Sequence, residues 1–125
     1  MSTIESPDEL YRLLARAGEA QQLSDGAVIF ERGEHGTSMY LLATGKVVLK
    51  LGADVLETVE APGLFGEMAL IDYEPRALTA VTQGDVEVVE IPERRFWVLV
   101  HETPRFAQLV MRVMADRLRR VSGTL

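Results

Sequence analysis

Between Gln22 and Ile91 the sequence consists of short runs of β-branched and large apolar residues, divided by glycine and proline turns. The runs that predict strands are 27–30, 39–43, 46–51, 55–59, 78–82 and 86–91. Short strands separated by turns at intervals of roughly eight residues are typical of an antiparallel sandwich or barrel, and they argue against alternating strands and helices. This region therefore predicts a mainly β fold.

Helical periodicity replaces this pattern at both ends of the β-rich region. Residues 7–17 predict one N-terminal helix, and residues 93–121 predict two C-terminal helices, of which the second begins at Pro104. The length of 125 residues is that of one ordinary domain, so a single domain over 1–125 is expected. The predicted fold class is α+β and mainly β, with an antiparallel β-barrel or jelly roll over about 22–91.

The cysteine and histidine content limits the chemistry that the chain can perform. Cysteine is absent, which excludes disulfides, thiolate metal sites and a cysteine nucleophile. The two histidines, His35 and His101, are far apart in the sequence and are not spaced as metal ligands. No nucleophile and base are paired in a recognisable motif. We therefore expect a binding module that is not an enzyme and that uses no metal or cofactor.

The charge of the chain argues against a nucleic-acid partner. Its net charge is −6, which disfavours binding to a phosphate backbone across the whole domain. Arginines are concentrated between Pro104 and Arg120, where cations near the end of a helix complement its dipole, and we prefer this explanation to a DNA-binding surface. No apolar run reaches the roughly 18 residues of a membrane span, and no signal peptide is visible. The expected location is the cytoplasm, without nucleic-acid or membrane partners.

One interval between two predicted strands interrupts the β pattern and predicts a single helical turn followed by a loop. Gly66 followed by a helical turn would present free backbone N–H groups to an anion, and Arg76 can bind a phosphate through two N–H groups. Glu67 can accept hydrogen bonds from vicinal hydroxyls, and the small Ala69 and Ala77 allow close approach of a ligand. These residues indicate a sugar-phosphate site. Each also has a structural alternative: Glu67 complements a helix dipole, and Arg76 pairs with a carboxylate.

This segment resembles the phosphate-binding cassette of the cyclic nucleotide-binding domain family, which includes the bacterial catabolite activator protein, protein kinase A regulatory subunits and cyclic nucleotide-gated channels. The residues that match the cassette, over 65–77, are Phe65-Gly66-Glu67-Met68-Ala69-Leu70 and Arg76-Ala77. A second family stretch is matched by Gly33-Glu34-His35-Gly36, Met39-Tyr40-Leu41-Leu42 and Gly45. The resemblance covers about 10–121 and implies a jelly roll with a short helical cassette.

The resemblance also implies roles for individual residues. Glu67 would accept the ribose 2′-hydroxyl, and Arg76 would bind the exocyclic oxygens of a cyclic phosphate. In the implied ligand-binding set, the small residues donate backbone N–H groups or let the ligand approach the backbone closely. Two leucines line the base and the sugar. The set around Glu67 and Arg76 comprises Gly66, Met68, Ala69, Ala77, Leu49 and Leu64.

Three positions depart from the family pattern or bear on the choice of ligand. Leu78 stands where the family usually has alanine, which makes the entry to the following strand bulkier. Phe30 replaces a β-branched residue, which we interpret as a packing change. Ala77 stands where members selective for cyclic GMP often carry threonine, so the resemblance favours cyclic AMP as the ligand, with cyclic GMP as the alternative.

The last helix carries two apolar faces beside one another. One is a seam spaced as in a coiled coil, and its residues are Ala107, Met111, Met114, Leu118 and Val121. Either this seam meets a second subunit or an effector protein, or the helix has one broad buried face. In the family this helix often closes over the base, so the resemblance also implies candidate base contacts at Arg117, Arg120, Val121 and Ser122.

The expected function is that of a cyclic nucleotide-binding regulatory or sensor module. It would bind cyclic AMP and signal by moving its C-terminal helix. Two alternatives remain: an interaction or scaffold domain of the same fold that has no ligand, and a fragment of a larger regulator that responds to cyclic nucleotides. Intact Glu67 and Arg76 favour the sensor, since members without ligand usually lose one of them.

Overall fold

The computed structural model describes residues 7–122, with side chains described from Glu9 to Arg120. The elements of this part of the chain are, in order, α1 (Pro7–Leu14), β1 (Glu19–Leu23), β2 (Val28–Phe30), β3 (Ser38–Leu51), β4 (Asp54–Glu60), β5 (Gly63–Phe65), α2 (Met68–Asp72), β6 (Thr79–Pro92), α3 (Glu93–Glu102) and α4 (Pro104–Ser122). Within residues 7–122, none of the helices combines the length and apolarity that crossing a bilayer requires.

The sheet is antiparallel and is built around the two long strands β3 and β6, which pair with each other. Strands β1 and β2 pair with β6, whereas β4 and β5 pair with β3. The path β1-β6-β3-β4 does not close on itself among the described residues, so the strands form an open roll and not a closed barrel. The predicted α+β, mainly β class is confirmed.

The two central strands are longer than the sequence predicts. The predicted strands 39–43 and 46–51 form one strand, β3, and 78–82 and 86–91 form one strand, β6. Gly45, predicted as part of a turn, instead lies within β3 at a φ of +92°. The register against β6 shifts between Leu42 and Thr44 and again between Thr44 and Lys46, so the pairing is irregular around this position. Gly45 therefore marks an irregularity inside one long strand, and not a turn between two strands.

Other boundaries also differ from the prediction. The N-terminal helix ends at Leu14, which is shorter than the predicted 7–17. Strands β1 and β5 are absent from the predicted set, because β1 is mostly exposed and polar and β5 has only three residues. Both exist because long strands lie next to them: β1 pairs with β6, and β5 pairs with β3.

Two apolar clusters form the core. The first joins the roll to α1, α3 and α4, and at its centre Phe96 and Phe106 meet edge to face with their ring centroids 5.6 Å apart. The second fills the roll beneath the cassette, where Tyr40 stacks on Phe65 at 5.3 Å and Phe30 packs beside both rings. Rigid aromatic packing therefore supports the backbone on which the site is built.

Helix α4 buries one apolar face and exposes part of the other. Phe106 and Val110 are buried in the first cluster, and Met114 packs partly against it. Met111 and Leu118, from the predicted seam, are 62% and 57% exposed. The side chain of Val121 lies outside the described side chains. The helix therefore packs on the roll with one face and presents two large apolar side chains of the seam to solvent.

Candidate functional site

The cassette begins where β5 ends. Gly66 has a φ of +80°, which a residue with a side chain rarely adopts, and a Cβ there would lie 2.9 Å from Nη1 of Arg76. Glu67 then precedes the short helix α2, and Tyr73 ends that helix in the left-handed region at a φ of 58°. The loop that follows returns the chain to Arg76, so the two halves of the sequence motif lie side by side.

Arg76 is held below the surface by its neighbours. Only 6% of the residue is exposed. Its Nη1 donates to the carbonyl oxygen of Gly66 at 2.6 Å, its Nη2 donates to the carbonyl oxygen of Ser38 at 2.5 Å, and its Cζ lies 4.1 Å from the centre of the Phe30 ring. Burial lowers the pKa of Arg76 from its ordinary value, but a guanidinium remains protonated in proteins. The site therefore contains a fixed, buried positive charge.

This charge lacks a carboxylate partner in the part of the chain that the structure describes. The ion pairs found there involve Lys46, Arg117 and Arg120 as cations. Arg76 is in direct contact with two carbonyl oxygens and an aromatic face, and the carboxylates of Glu67, Glu34 and Glu90 act on it only from beyond ion-pair distance, which is incomplete compensation for a buried cation. The salt-bridge explanation for Arg76 is therefore wrong, and the side chain is available to an anion.

The second sequence motif packs directly against the cassette. The N–H of Gly33 donates to the carbonyl oxygen of Arg76, and the N–H of Arg76 donates to that of Glu34, both at 2.8 Å. A Cβ on Gly36 would lie 2.7 Å from the Cβ of Ala69 and from Cζ of Arg76. The turn at 33–36 therefore clamps the backbone of Arg76, and Gly36 leaves space for its side chain.

A pocket with a free volume of about 130 Å³ opens in front of Arg76. Of the residues that the sequence analysis assigns to ligand binding, those that line it are Leu49, Gly66, Glu67, Met68, Ala69, Arg76 and Ala77. Leu64 does not: it lines a neighbouring polar cavity of about 250 Å³. Leu64 lies in β5 and packs in the first apolar cluster together with residues of α4, and its predicted contact with the base or sugar stays a prediction.

Glu67 is the second charged group of the site and is 1% exposed. Nη1 of Arg117, in α4, lies 2.7 Å from both of its carboxylate oxygens. Arg117 also donates through Nε to Glu57 at 2.8 Å and through Nη2 to the carbonyl oxygen of Leu64 at 2.7 Å. Glu57 in turn accepts from Arg120 at 3.0 Å. The last turns of α4 are therefore tied to the cassette by a network of alternating charges.

Arg117 stays charged in this network. Burial on its own lowers the pKa of Arg117, but the carboxylates of Glu67 and Glu57 outweigh burial and raise the pKa above its ordinary value. The sequence analysis named Arg117 only as a candidate base contact or as a complement to the helix dipole. Its contact with Glu67 leaves no local signal in the sequence, because it depends on how α4 packs.

Other residues of the site were also missed or assigned a different role. Phe30, interpreted from the sequence as a packing change, lines the pocket and supports Arg76. Ser38 contributes a carbonyl oxygen, which no side-chain pattern can reveal. Of the other candidate base contacts, Arg120 pairs with Glu57, whereas the side chains of Val121 and Ser122 lie outside the described ones.

The fold places a buried arginine and a buried glutamate at one pocket beside the short helix α2. The family model for the "Cyclic nucleotide-binding domain" matches residues 20–103, which include both sequence motifs. The chain belongs to the cyclic nucleotide-binding domain family, so the resemblance found in the sequence is confirmed.

Curated relatives include longer regulators. The "CRP-like cAMP-activated global transcriptional regulator" of Mycobacterium tuberculosis is 30% identical over 105 residues, which are 80% of this chain and 47% of that protein. The "Cyclic AMP receptor protein" of Thermus thermophilus is 34% identical over 99 residues, 75% of this chain and 46% of that protein. The chain thus spans about half the length of the curated relatives it matches.

Solved structures share the fold. The Catabolite Activator Protein of Thermus thermophilus superposes with a TM-score of 0.78 at 30% identity, over 94% of this chain and 57% of that chain. A second structure, described as "A cyclic-GMP-dependent signalling pathway regulates bacterial phytopathogenesis", has a TM-score of 0.74 at 26% identity and covers 99% of both chains. The similar proteins are therefore connected with different cyclic nucleotides.

Proposed function

We propose that this chain binds a cyclic nucleotide, with cyclic AMP preferred, and that it is a regulatory binding module and not an enzyme. The observation that carries the proposal is Arg76, a buried cation without a carboxylate partner among the described residues, which faces a pocket lined by small residues. A cyclic phosphate carries one negative charge, which matches the single positive charge of Arg76.

The phosphate would lie against Arg76 and the first turn of α2. The backbone N–H groups at the start of a helix lack partners within that helix, so they can donate to the phosphate oxygens. The side chains of Ala69 and Ala77 are small enough to let the ligand approach the backbone on both sides of Arg76. Phosphate oxygens bound in this way would receive hydrogen bonds from both a guanidinium and the main chain.

The sugar would lie against Glu67. Its carboxylate is buried, and it lines the same pocket as Arg76. A ribose 2′-hydroxyl can donate to this carboxylate, while a ligand without the hydroxyl leaves the charge less well solvated. Binding through both groups would distinguish a nucleotide from inorganic phosphate.

The preference for cyclic AMP rests on Ala77 and on the names of the relatives. Alanine offers no hydroxyl to the amino group of guanine, and two of the relatives are named for cyclic AMP. Cyclic GMP is the second candidate because of the structure connected with cyclic-GMP signalling.

Calorimetry with cyclic AMP, cyclic GMP and 5′-AMP tests the proposal. We expect cyclic AMP to bind tightest and 5′-AMP weakest. If neither cyclic nucleotide binds, the result would instead support a scaffold domain without a ligand.

The proposed output is a change in helix α4. Its exposed Met111 and Leu118 would contact a partner, and we favour a second copy of this chain over an effector protein. A coiled-coil-like spacing suits contact with an identical helix. Because the chain spans about half the length of its curated relatives, a larger regulator remains the alternative context for the same module.

A further inference from the structure

The guanidinium carbon of Arg76 lies over the ring of Phe30, a residue of β2 that is far from it in the sequence. The distance from Cζ to the ring centre is 4.1 Å, within the roughly 6 Å over which an aromatic face attracts a cation. Both residues line the pocket and both are buried. The attraction is stronger where water is excluded. Phe30 is therefore placed to act on the charge that would bind the phosphate.

The Phe30 ring is itself held in place by its neighbours. Its centroid lies 5.9 Å from that of Tyr40 and 6.1 Å from that of Phe65. The backbone at the start of the cassette also runs close to it, since a Cβ on Gly66 would lie 3.2 Å from Cε2 of Phe30. Side chains packed in this way keep fixed positions. The ring is therefore a rigid support for the guanidinium.

The contacts of Arg76 leave donors for a ligand. A guanidinium has five N–H groups in one plane. One on Nη1 is donated to the carbonyl oxygen of Gly66, and one on Nη2 to that of Ser38. The ring attracts the charge through its π electrons and does not take the place of a hydrogen-bond acceptor. Phe30 and a phosphate can therefore contact the same guanidinium at once.

Holding Arg76 before the ligand arrives favours binding. A long arginine side chain loses much rotational freedom when it is fixed in one position. Here the two carbonyl oxygens and the ring fix it when the protein folds, so the ligand does not have to order it. A β-branched side chain at position 30 would fill space but would offer no aromatic face. The guanidinium would then be held by the two carbonyl oxygens alone.

We propose that Phe30 is a positioning residue for Arg76, whose ring attracts the guanidinium and keeps its remaining N–H groups in place for the phosphate. This inference rests on the proposed function, because it concerns the same pocket. It goes beyond packing, since the electrons of the ring matter as well as its volume. The affinity for a cyclic nucleotide should therefore follow the electron density of the ring at position 30.

The first experiment replaces Phe30 with monofluorinated, difluorinated and trifluorinated phenylalanine. Fluorine withdraws electrons from the face of the ring and changes its size little, so it weakens the attraction to Arg76 and keeps the packing. We expect the affinity for cyclic AMP, measured by calorimetry, to fall stepwise by about five- to tenfold across the series. Urea denaturation should show nearly constant stability. In Arg76→Gln, which has no cation, the same series should leave the residual affinity unchanged.

The second experiment compares natural side chains. Phe30→Leu should weaken cyclic AMP binding roughly tenfold, whereas Phe30→Tyr, which keeps a ring, should retain most of the affinity. The matched control is Val47→Ala, a fully buried position of the same apolar cluster that is not part of the pocket wall. It should lower the stability of the fold and bind cyclic AMP as the wild type does. The fluorinated series decides the question if Phe30→Leu does not fold.

Two results would overturn the inference alone. One is a wild type that binds cyclic AMP with an affinity that fluorination at position 30 does not change. The other is an equal loss of affinity in Phe30→Leu and Val47→Ala, which would show that Phe30 contributes only to packing. If the wild type binds neither cyclic AMP nor cyclic GMP, the proposed function fails and the inference fails with it.

Discussion

Nη1 of Arg117 lies 2.7 Å from each of the two carboxylate oxygens of Glu67. The side chains of the two residues are 14% and 1% exposed, so the pair is shielded from water and only weakly screened by salt. It joins the last turns of α4 to the first residue after Gly66 in the cassette. A change at the pocket therefore has a direct physical route to the helix that follows the roll.

Arg76→Lys should weaken binding of cyclic AMP about tenfold or more. Lysine keeps the charge but has no planar pair of donors, so it cannot replace both the bonds to Gly66 and Ser38 and the contact with phosphate. Calorimetric titration measures the loss. Arg94→Lys, an exposed position on α3, is the matched control and should bind as the wild type does. Unchanged affinity of Arg76→Lys would remove Arg76 from the site.

The wild type should bind cyclic AMP more tightly than its 2′-deoxy form, by roughly tenfold. The reason is that Glu67 is buried and benefits from the hydroxyl as an additional donor. Glu67→Gln should narrow this difference, because an uncharged amide gains less from the same hydrogen bond. Competition titrations with the two ligands check the prediction, and equal affinity of the wild type for both would contradict it.

Gly36→Ala should destabilise the fold by about 1–3 kcal/mol and also weaken ligand binding. The new Cβ would lie 2.7 Å from Cζ of Arg76 and from the Cβ of Ala69, so the guanidinium must shift. Urea denaturation and calorimetry measure the two effects. In Gly84→Ala, whose glycine has a φ of +80° and open space around it, stability should fall while affinity stays the same. Wild-type affinity in Gly36→Ala would contradict the close fit.

Phe106→Ala should lower the free energy of unfolding by about 3–5 kcal/mol. Phe106 is fully buried and meets Phe96 edge to face, so its removal leaves a cavity where α4 joins the roll. Thermal and chemical denaturation test this. Met111→Ala, at a 62% exposed position of the same helix, should change stability by only a few tenths of a kcal/mol.

The exposed seam of α4 should support self-association. Sedimentation velocity should show a dimer. Leu118→Glu should convert this dimer to a monomer, because the new carboxylate would face the same carboxylate of the second copy and would lose part of its hydration. Arg112→Glu, a charge change at another exposed position of α4, is the control for a general effect of charge. A monomeric wild type at high concentration would favour an effector protein as the partner of this surface.

The cassette could be predicted from the sequence because its information is local. Gly66, Glu67 and Arg76 lie within one short segment, and a glycine, a helical turn and a returning loop determine how they meet. The mainly β class was equally accessible, since runs of β-branched residues separated by turns reflect local preferences. Helix α4 was also predicted, because its apolar residues repeat with helical spacing.

Only the tertiary structure decided which side chains complete the site. Phe30 supports Arg76 and Arg117 holds Glu67, yet both contacts join residues that are distant in the sequence. The register of β2 against β6 determines where Phe30 lies. Burial of Phe106 against the roll fixes the position of α4, and this determines where the side chain of Arg117 is placed. Periodicity identifies the apolar face of a helix but not its position along the surface on which it packs. That position follows from the shape of the packed core, which depends on the whole chain at once.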